Sequence, residues 1–533
     1  MGEESATPSA FIVWICNIFR VTYNIEATLS MTASAPAIFE EQETGLFVLG
    51  IDIGTQSLKA VILNEALLPV GTSAQSYQPT FPHPLWAEQD PGLWLAALHP
   101  AIAGALADAK IAAGDVGALG LAGQLDGCLP VDGRGEAMGP CLIWMDRRAG
   151  AEVEGISPGP VMEKGGLVLD ASHMAAKIRW LQRHHADASS IRRFHQPVSY
   201  ALSRLTGRHV LDHAVASTTM LYNLWKGGLD PELCALFDID PDELPEIDRS
   251  EAVAGGLSTD GARLTGLKPG IPVAVGTGDD FSNPLGAGVV RPGRVVVSLG
   301  TAEVVGAVHG EATIDRAALV ETHGYAAGRF FVENPGWLSG GALAWFIQTF
   351  RLSGVAELDA LAAEAPAGAE GVTFLPALSG AMAPEWIAEA RGCFYGLSAA
   401  HGPSHMARSV LEGCAFAMRD VVERLAALGV DTTELLLLGG GAKSRIWAQI
   451  RADLVQRPAQ ISTLADSSPV GAGLLAAVAA GMVASLDEAA NRIATPSALI
   501  APDTAKRTAY DDAYGRYRRL FESLKPMFNS ARS

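Results

Sequence analysis

Two stretches of this chain, far apart in sequence, are written to one plan. Residues 47–63 run Phe-Val-Leu-Gly-Ile-Asp-Ile-Gly-Thr-Gln-Ser-Leu-Lys-Ala-Val-Ile-Leu, and residues 294–308 run Arg-Val-Val-Val-Ser-Leu-Gly-Thr-Ala-Glu-Val-Val-Gly-Ala-Val. Each is a pair of β-rich runs joined by a Gly-Thr turn, the signature of a strand, turn, strand unit. An internal echo of this kind predicts a doubled α/β architecture with a cleft between two similar halves. Around the first hairpin lie a third β-rich run at 68–77, a helical stretch at 93–113 with apolar residues at i, i+3 and i+4, and a short apolar strand at 118–122 that ends in Gly123-Gln124. Around the second lie a long helix at 406–428, a strand at 434–438 running into Gly439-Gly440-Gly441, and helices near 443–455 and 469–481. The breaker cluster Arg291-Pro292-Gly293 separates the halves. The expected division is an extension at 1–46 without function, a first domain at 47–291 and a second at 292–525.

Composition narrows the function classes. The 533 residues are 49% apolar and 18% charged, enough to build two large cores. A net charge of −19 opposes any general attraction to nucleic acid or an anionic membrane, so neither is expected as a partner. Six cysteines without a C-x-x-C pair fit neither a disulfide framework nor a zinc site, and predict reduced thiols in a cytoplasm. The apolar run at 11–19 falls far short of the ~20 residues that span a bilayer. Met31 opens a polar stretch ahead of the first strand, and translation is expected to start there.

Neither G-x-x-x-x-G-K-[ST] nor G-x-G-x-x-G occurs, so a nucleotide site must be built from other parts. The two Gly-Thr hairpins are the candidates, each aimed at the phosphates of one nucleotide. In the first, Gly54 lets backbone approach a phosphate, Thr55 and Ser57 add hydroxyls, Asp52 would face a metal and Lys59 could neutralise charge. The alternative is an ordinary hairpin with a solvated Asp. Gly276-Thr277-Gly278-Asp279-Asp280 follows an apolar strand, so its carboxylates stand where a cleft opens and one is a candidate general base; a solvated turn would look the same. Gly439-Gly440-Gly441 leaves room for a flat base or ribose, although tight turns use glycine for steric reasons too. His184-His185 closes a helical run at 174–185 and reads as a solvated helix end.

Taken in order, these segments resemble the FGGY carbohydrate kinases from residue 47 to about 521, and most of all the members that phosphorylate xylulose. The resemblance is carried by Gly50-Ile51-Asp52-Ile53-Gly54-Thr55, Pro82-His83-Pro84-Leu85-Trp86-Ala87-Glu88-Gln89-Asp90-Pro91, Gly123-Gln124, Ile143-Trp144-Met145-Asp146-Arg147-Arg148, 276–279, Ser298-Leu299-Gly300-Thr301, Phe374-Leu375-Pro376 with Leu378-Ser379-Gly380, and 438–442. It implies two ribonuclease H-like (actin-like ATPase) domains with a catalytic cleft between them, ATP and Mg²⁺ as cofactors, and a small sugar or polyol as acceptor. By position it makes Asp279 the base and Asp52 the metal residue. Thr55, Gln56 and Lys59 then belong to the first phosphate loop, and Gly300 and Thr301 to the second. Gly340, Gly440, Gly441 and Arg445 would surround the nucleotide, while Leu125, Asp126, Trp144, Asp146 and Asp280 would line the sugar pocket. D-Xylulose is the expected acceptor, and a homodimer is compatible with the family.

Three positions depart from the family pattern. Gly-Gln-Leu-Asp-Gly replaces Gly-Gln-Met-His-Gly, which places Asp126 where a histidine would meet a ketose. Glycerol and erythritol kinases carry an acid there, and an ionised carboxylate rewards a dense set of hydroxyl donors, so another ketose or an alditol stays open. Glu303 follows the second turn, where a carboxylate would repel phosphate unless a cation intervenes or the side chain points to the opposite face of its strand. Ala381-Met382 stands where many members place Glu-Arg. An actin-like ATPase cycling without sugar would need a partner domain, and a sugar-sensing regulator a DNA-binding segment; no residues are left for the first and no basic patch for the second.

Overall fold

The computed structural model describes residues 46–464, 466–493 and 499–529. The expectations about the leading segment, including the run at 11–19, Cys16 and a start at Met31, lie outside the described residues. In the first half β1 (Phe47–Ile53), β2 (Ser57–Leu63) and β3 (Pro69–Ser76) form an antiparallel meander. Beside β1, in parallel, runs β4 (Val116–Gly123); β5 (Val253–Gly256) and β6 (Pro272–Ala274) extend the sheet, and the short β7 (Thr277–Gly278) also pairs with β4. The second half holds β8 (Arg294–Leu299), β9 (Ala302–His309), β10 (Glu321–Tyr325), β11 (Arg329–Leu338), β12 (Glu434–Leu438) and β13 (Ala459–Ile461). The strand orders are β5-β6-β4-β1-β2-β3 and β10-β11-β9-β8-β12-β13. Both contain the same motif, three antiparallel strands continued by a parallel one, which is the doubled architecture that the hairpin echo predicts and agrees with the ribonuclease H-like fold that the family resemblance implies.

Most predicted elements are present within a few residues. The helix expected at 93–113 is α1 (Pro91–Ala109). The Asp90 side chain accepts the Gly92 N–H at its start, proline occupies the first turn, and Lys110 ends it in the left-handed region. By length and apolarity alone α1 could cross a membrane, but it lies along β2 and β3 with Trp94, Leu98 and Ile102 buried. The run at 174–185 is α2 (Met174–His184). The β10–β11 hairpin was not expected: glycines, aromatics and acids along 321–338 hide its alternation. It places Glu321 opposite Glu333 and His323 opposite Phe331.

The second sheet is buried on both faces. Val295, Val297 and Leu299 enter one core with α5 (Pro403–Ala427), a helix that follows α4 (Gly340–Thr349) in the chain. Val296, Leu436 and Leu438 point the other way, into a core shared with the first half. That shared core is closed by α3 (Asp279–Gly286) and by α7 (Ser467–Ala479), which comes after α6 (Arg445–Val455). Although α7 belongs to the second half by sequence, it packs on β1 and β4 of the first. Only glycine permits this approach: a Cβ on Gly50 would stand 1.8 Å from the Pro469 carbonyl, and one on Gly120 1.9 Å from that of Ala472.

Gly120→Ala is expected to destabilise the fold by about 1–3 kcal/mol, because the neighbour is backbone and cannot swing away. Gly133→Ala, with nothing within 4 Å, is the matched control. Thermal unfolding of the two variants should show a lowered midpoint for the first only.

Candidate active site

The site begins at the carboxyl ends of three neighbouring strands, where open α/β sheets leave a crevice. Asp52 pairs with Ala122 across β1 and β4, and Gly278 pairs with Gly123 across β7 and β4. The β1–β2 turn is therefore level with the segment 123–126 and with the start of α3. It is held tightly. Gly54 N–H donates to the Ser57 carbonyl at 3.0 Å, Tyr77 Oη to the Gly54 carbonyl at 2.8 Å, and Gln89 Nε2 to the Thr55 carbonyl at 2.8 Å. The Thr55 hydroxyl donates to Gln124 Oε1 at 3.2 Å and accepts from Trp144 Nε1 at 3.0 Å, so its one proton is already used. Trp144, expected in the sugar pocket, is thus anchored on the first Gly-Thr turn with much of its ring exposed. The ammonium of Lys59 pairs with Asp466, at the start of α7.

Asp279 and Asp280 are the first two residues of α3, and the Asp280 N–H donates to Asp279 Oδ1 at 3.1 Å. The positive end of the helix favours their ionised forms. Burial opposes it: it raises Asp279 well above the ordinary carboxylate range, reinforced by the charges of Asp280 and Asp52. Burial likewise pushes Asp280 up to about 6, with Asp126 and Asp52 adding to it. Asp52 is also pushed up to about 6 by burial, with Lys59 opposing and Asp466 reinforcing. Asp52 Oδ1 is buried without a hydrogen-bond partner, so this carboxylate suits a cation. Three acids sharing one crevice, each held towards its neutral form, describe a site that waits for positive charge and hydroxyl donors.

Asp126 sits beyond Gln124 in a left-handed conformation, φ 55°. Its carbonyl accepts from Lys177 Nζ at 2.6 Å, and that buried ammonium also donates to the Ile143 carbonyl at 2.8 Å. Its carboxylate stands 3.2 Å from His173 Nδ1. Burial alone would raise the Asp126 carboxyl, but the charge and hydrogen bond of His173, with Lys177 behind, hold it below its ordinary value. The reciprocal shift appears on His173: burial lowers it, yet Asp126 and Glu321 together lift it well above its ordinary value. Leu125 is the packing support of the site, since a Cβ on Gly278 would stand 2.1 Å from its Cδ2. Asp146 corrects the expectation that it lines the sugar pocket. Both its oxygens are consumed by the N–H groups of Ala87 and Arg148 and by the Arg148 guanidinium, which lies 3.6 Å over the Trp86 ring. It holds the wall together and has no acceptor to spare.

The second turn repeats the first. Gly300 N–H donates to the Ala302 carbonyl at 3.0 Å, and the Thr301 carbonyl accepts from Ser339 and Gly341 at the start of α4. Gly340 fits only because it lacks a Cβ, which would stand 2.2 Å from the Gly300 carbonyl. Gly441 packs on Leu299, whereas nothing lies within 4 Å of a Cβ on Gly440, which leaves an open backbone surface beside the second turn. Arg445 is the exposed first residue of α6. Glu303 points away from the turn, the second of the two alternatives left open by the sequence. Its oxygens meet Arg451 Nη1 and Nη2 at 2.5 and 2.7 Å and the Ser339 hydroxyl at 2.6 Å, with both charged residues fully buried.

His173, Lys177, Glu321, His323 and Glu333 are the residues that sequence reasoning missed. Glu-x-His at 321–323 would have been a signal for two of them only once that segment was read as a strand, which puts the acid and the imidazole on one face.

Comparison with known proteins agrees with this architecture. Residues 47–286 match the N-terminal domain of the FGGY family of carbohydrate kinases, and residues 295–480 the C-terminal domain. Over 485 residues the chain is 32% identical to the xylulose kinase of Escherichia coli (strain K12), covering 90% of this chain and 99% of that one. It is 30% identical to the glycerol kinase of Thermococcus onnurineus (strain NA1), across 83% of this chain and 91% of the relative. The solved structure of xylulose kinase from Rhodospirillum rubrum aligns with a TM-score of 0.83 at 30% identity, covering 91% and 100% of the two chains.

Arg451→Leu would leave Glu303 charged and unpaired beneath the second turn, at a cost of about 3–5 kcal/mol. The double variant Glu303→Leu with Arg451→Leu is expected to recover most of that loss. Thermal unfolding of both, with the KM for ATP as a second readout, checks the pair.

Proposed function

We propose, for a chain that belongs to the FGGY family of carbohydrate kinases and is an ATP-dependent sugar kinase, that its acceptor is an open-chain pentulose and first of all D-xylulose, converted to D-xylulose 5-phosphate. The observation that carries the catalytic assignment is Asp279, the first residue of α3, at the carboxyl edge of the first sheet beside Asp280 and Asp52. The similarity over nearly the whole chain to xylulose kinases supports the acceptor.

In this reading Asp279 takes the proton of the acceptor hydroxyl as that oxygen bonds to the γ-phosphorus of ATP, and the bond to the β–γ bridging oxygen breaks to release ADP. The turns Gly54-Thr55-Gln56 and Gly300-Thr301 hold the phosphates from opposite halves, with Lys59 adding positive charge once its pairing with Asp466 is shared. Gly340, Gly440, Gly441 and Arg445 flank the nucleotide, with the open surface at Gly440 taking its flat portion. Asp52 would hold Mg²⁺, which when bound supplies positive charge against the phosphate oxygens. Asp280 and Asp126 accept acceptor hydroxyls, and Leu125 and Trp144 shape the pocket. The domain limits 47–291 and 292–525 belong to the same reading. So does a cytoplasmic location, supported by Cys128, Cys141, Cys234, Cys393 and Cys414, which are all free thiols.

A second reading keeps the chemistry and exchanges the acceptor for another ketose or an alditol such as erythritol. The pairing of Asp126 with His173 favours it, because the ionised acid at this position offers only acceptors to the substrate.

Two measurements separate these. Asp279→Asn should lower kcat by about 10²–10⁴-fold while leaving the KM for ATP nearly unchanged, as expected for loss of a general base. A coupled ADP-release assay with D-xylulose, L-xylulose, D-ribulose, L-ribulose, erythritol, D-arabinitol, xylitol and glycerol should give its highest kcat/KM on D-xylulose. A preference for an alditol, reversed towards the ketose in Asp126→His, would establish the second reading. ATP hydrolysis that no acceptor stimulates would overturn both.

A further inference from the structure

Behind Asp126 runs a buried series of alternating acids and imidazoles that crosses from one half of the chain to the other. His173 Nδ1 is 3.2 Å from Asp126, and its Nε2 is 3.6 Å from Glu321 Oε1. His323 Nε2 stands 4.0 Å from Glu321 Oε2 and 3.6 Å from Glu333 Oε1. Asp126 and His173 belong to the first half, Glu321, His323 and Glu333 to β10 and β11 of the second. The strand pairing explains why they meet: Glu321 and His323 are two residues apart on β10, and Glu333 is the register partner of Glu321, so all three share one face of the hairpin. Backbone ties fix that face against the first half. Thr322 N–H donates to the Gly166 carbonyl, Gly324 N–H to Ser217 Oγ, and Val168 N–H to Glu321 Oε1 at 2.8 Å.

The far end of the series is unfinished. Glu333 is only 2% exposed and His323 3%, yet Glu333 Oε2 and His323 Nδ1 have no hydrogen-bond partner. Leaving such atoms unpaired is costly, so they mark a place where a ligand completes the set. Packing places them beside the acceptor site: the His323 ring lies 5.3 Å from that of Phe281, two residues beyond Asp279 on α3. Burial raises the Glu333 carboxyl well above its ordinary value, and the acids that add to it are Asp280, Glu321, Asp279 and Asp126, in that order. Three of those four are the acceptor-site acids of the first half. Burial lowers the His323 imidazole to about 4, which leaves the ring uncharged. A carboxyl oxygen accepts or, when protonated, donates, and a neutral imidazole nitrogen does one or the other, so a hydroxyl group, which can do both, is a fitting partner for each.

We propose that Glu333 and His323 are the second half's share of the acceptor pocket, and that they bond hydroxyls of the polyol or ketose other than the one being phosphorylated. This rests on the acceptor site at Asp279 described above. Its consequence is that the acceptor is gripped by both halves at once: Asp126, Asp279 and Asp280 hold it from the first sheet, and the β10–β11 hairpin holds it from the second. Acceptor discrimination then depends on a hairpin that lies outside the Gly-Gln-Leu-Asp-Gly segment.

The test uses the full chain with its best acceptor from the panel above, in the variants Glu333→Ala and Glu333→Gln. Glu333→Ala is expected to raise the KM for the acceptor at least tenfold while the KM for ATP and the thermal midpoint stay within twofold and a few degrees of the parent. Glu333→Gln, which keeps a donor and an acceptor in place, is expected to restore most of the affinity. Calorimetric titration of acceptor without nucleotide should weaken in parallel. An unchanged acceptor KM in both variants would overturn the inference, as would a loss that strikes ATP and acceptor equally together with a lowered thermal midpoint, the mark of a purely structural residue. Failure of the parent chain to turn over any acceptor would instead overturn the acceptor site itself, so the two failures are told apart by the parent control.

Discussion

The arrangement of the cleft depends on how closely α7 lies on the first sheet. With carbonyls of α7 less than 2 Å from where side chains would begin at Gly50 and Gly120, the helix is seated on the strands themselves. Its partner α3 is seated on it in the same way, since a Cβ on Gly471 would stand 2.1 Å from the Ser282 carbonyl. This crossing fixes the chemistry, because Asp279 is the first residue of α3, and Asp466, which pairs with Lys59, immediately precedes α7. Asn283 of α3 also reaches Ser298, at the end of the strand that leads into the second turn. Two small helices thus tie Asp279, the first Gly-Thr turn and the second Gly-Thr turn into one unit. In a close-packed interior, a shift at one of them is felt at all three.

The buried charges divide into two populations. Glu303 with Arg451 and Asp146 with Arg148 are bidentate, satisfied on nearly every side, and sit under or behind the site. They position backbone and have nothing left for a ligand. Asp52, Asp279, Asp280 and Glu333 are the reverse. They are buried or partly buried, Lys59 opposes the effect at Asp52 alone, and burial holds each towards its neutral form. These acids are therefore electrostatically incomplete on their own, and hydroxyl donors or a cation would relieve them. Asp126 lies between the populations, ionised through His173 yet facing the pocket.

Residues 47–63 and 294–308 carry their structure in local pattern. β-branched runs on either side of Gly-Thr admit little but a hairpin, and the repetition fixes the doubled fold. Asp279 is legible for a similar reason, as an acid directly after an apolar strand. Asp146 misleads because motif position does not reveal that Arg148, two residues on, folds back to consume it. The β10–β11 hairpin was not legible either. Its acids and its one histidine look like surface residues until pairing places them on one inward face, and pairing is a property of two segments rather than of one.

By itself the sequence determined the chemistry available and the frame that carries it: two Gly-Thr turns, an acid at the end of a strand, and glycines where backbone must approach. These follow from steric and charge rules that act over a few residues. Only the tertiary structure decided which acids are free to act. Compensation of a buried charge requires a partner brought in from elsewhere in the chain, as Arg451 is to Glu303 across 148 positions, and as the second half brings Glu321 to His173 of the first.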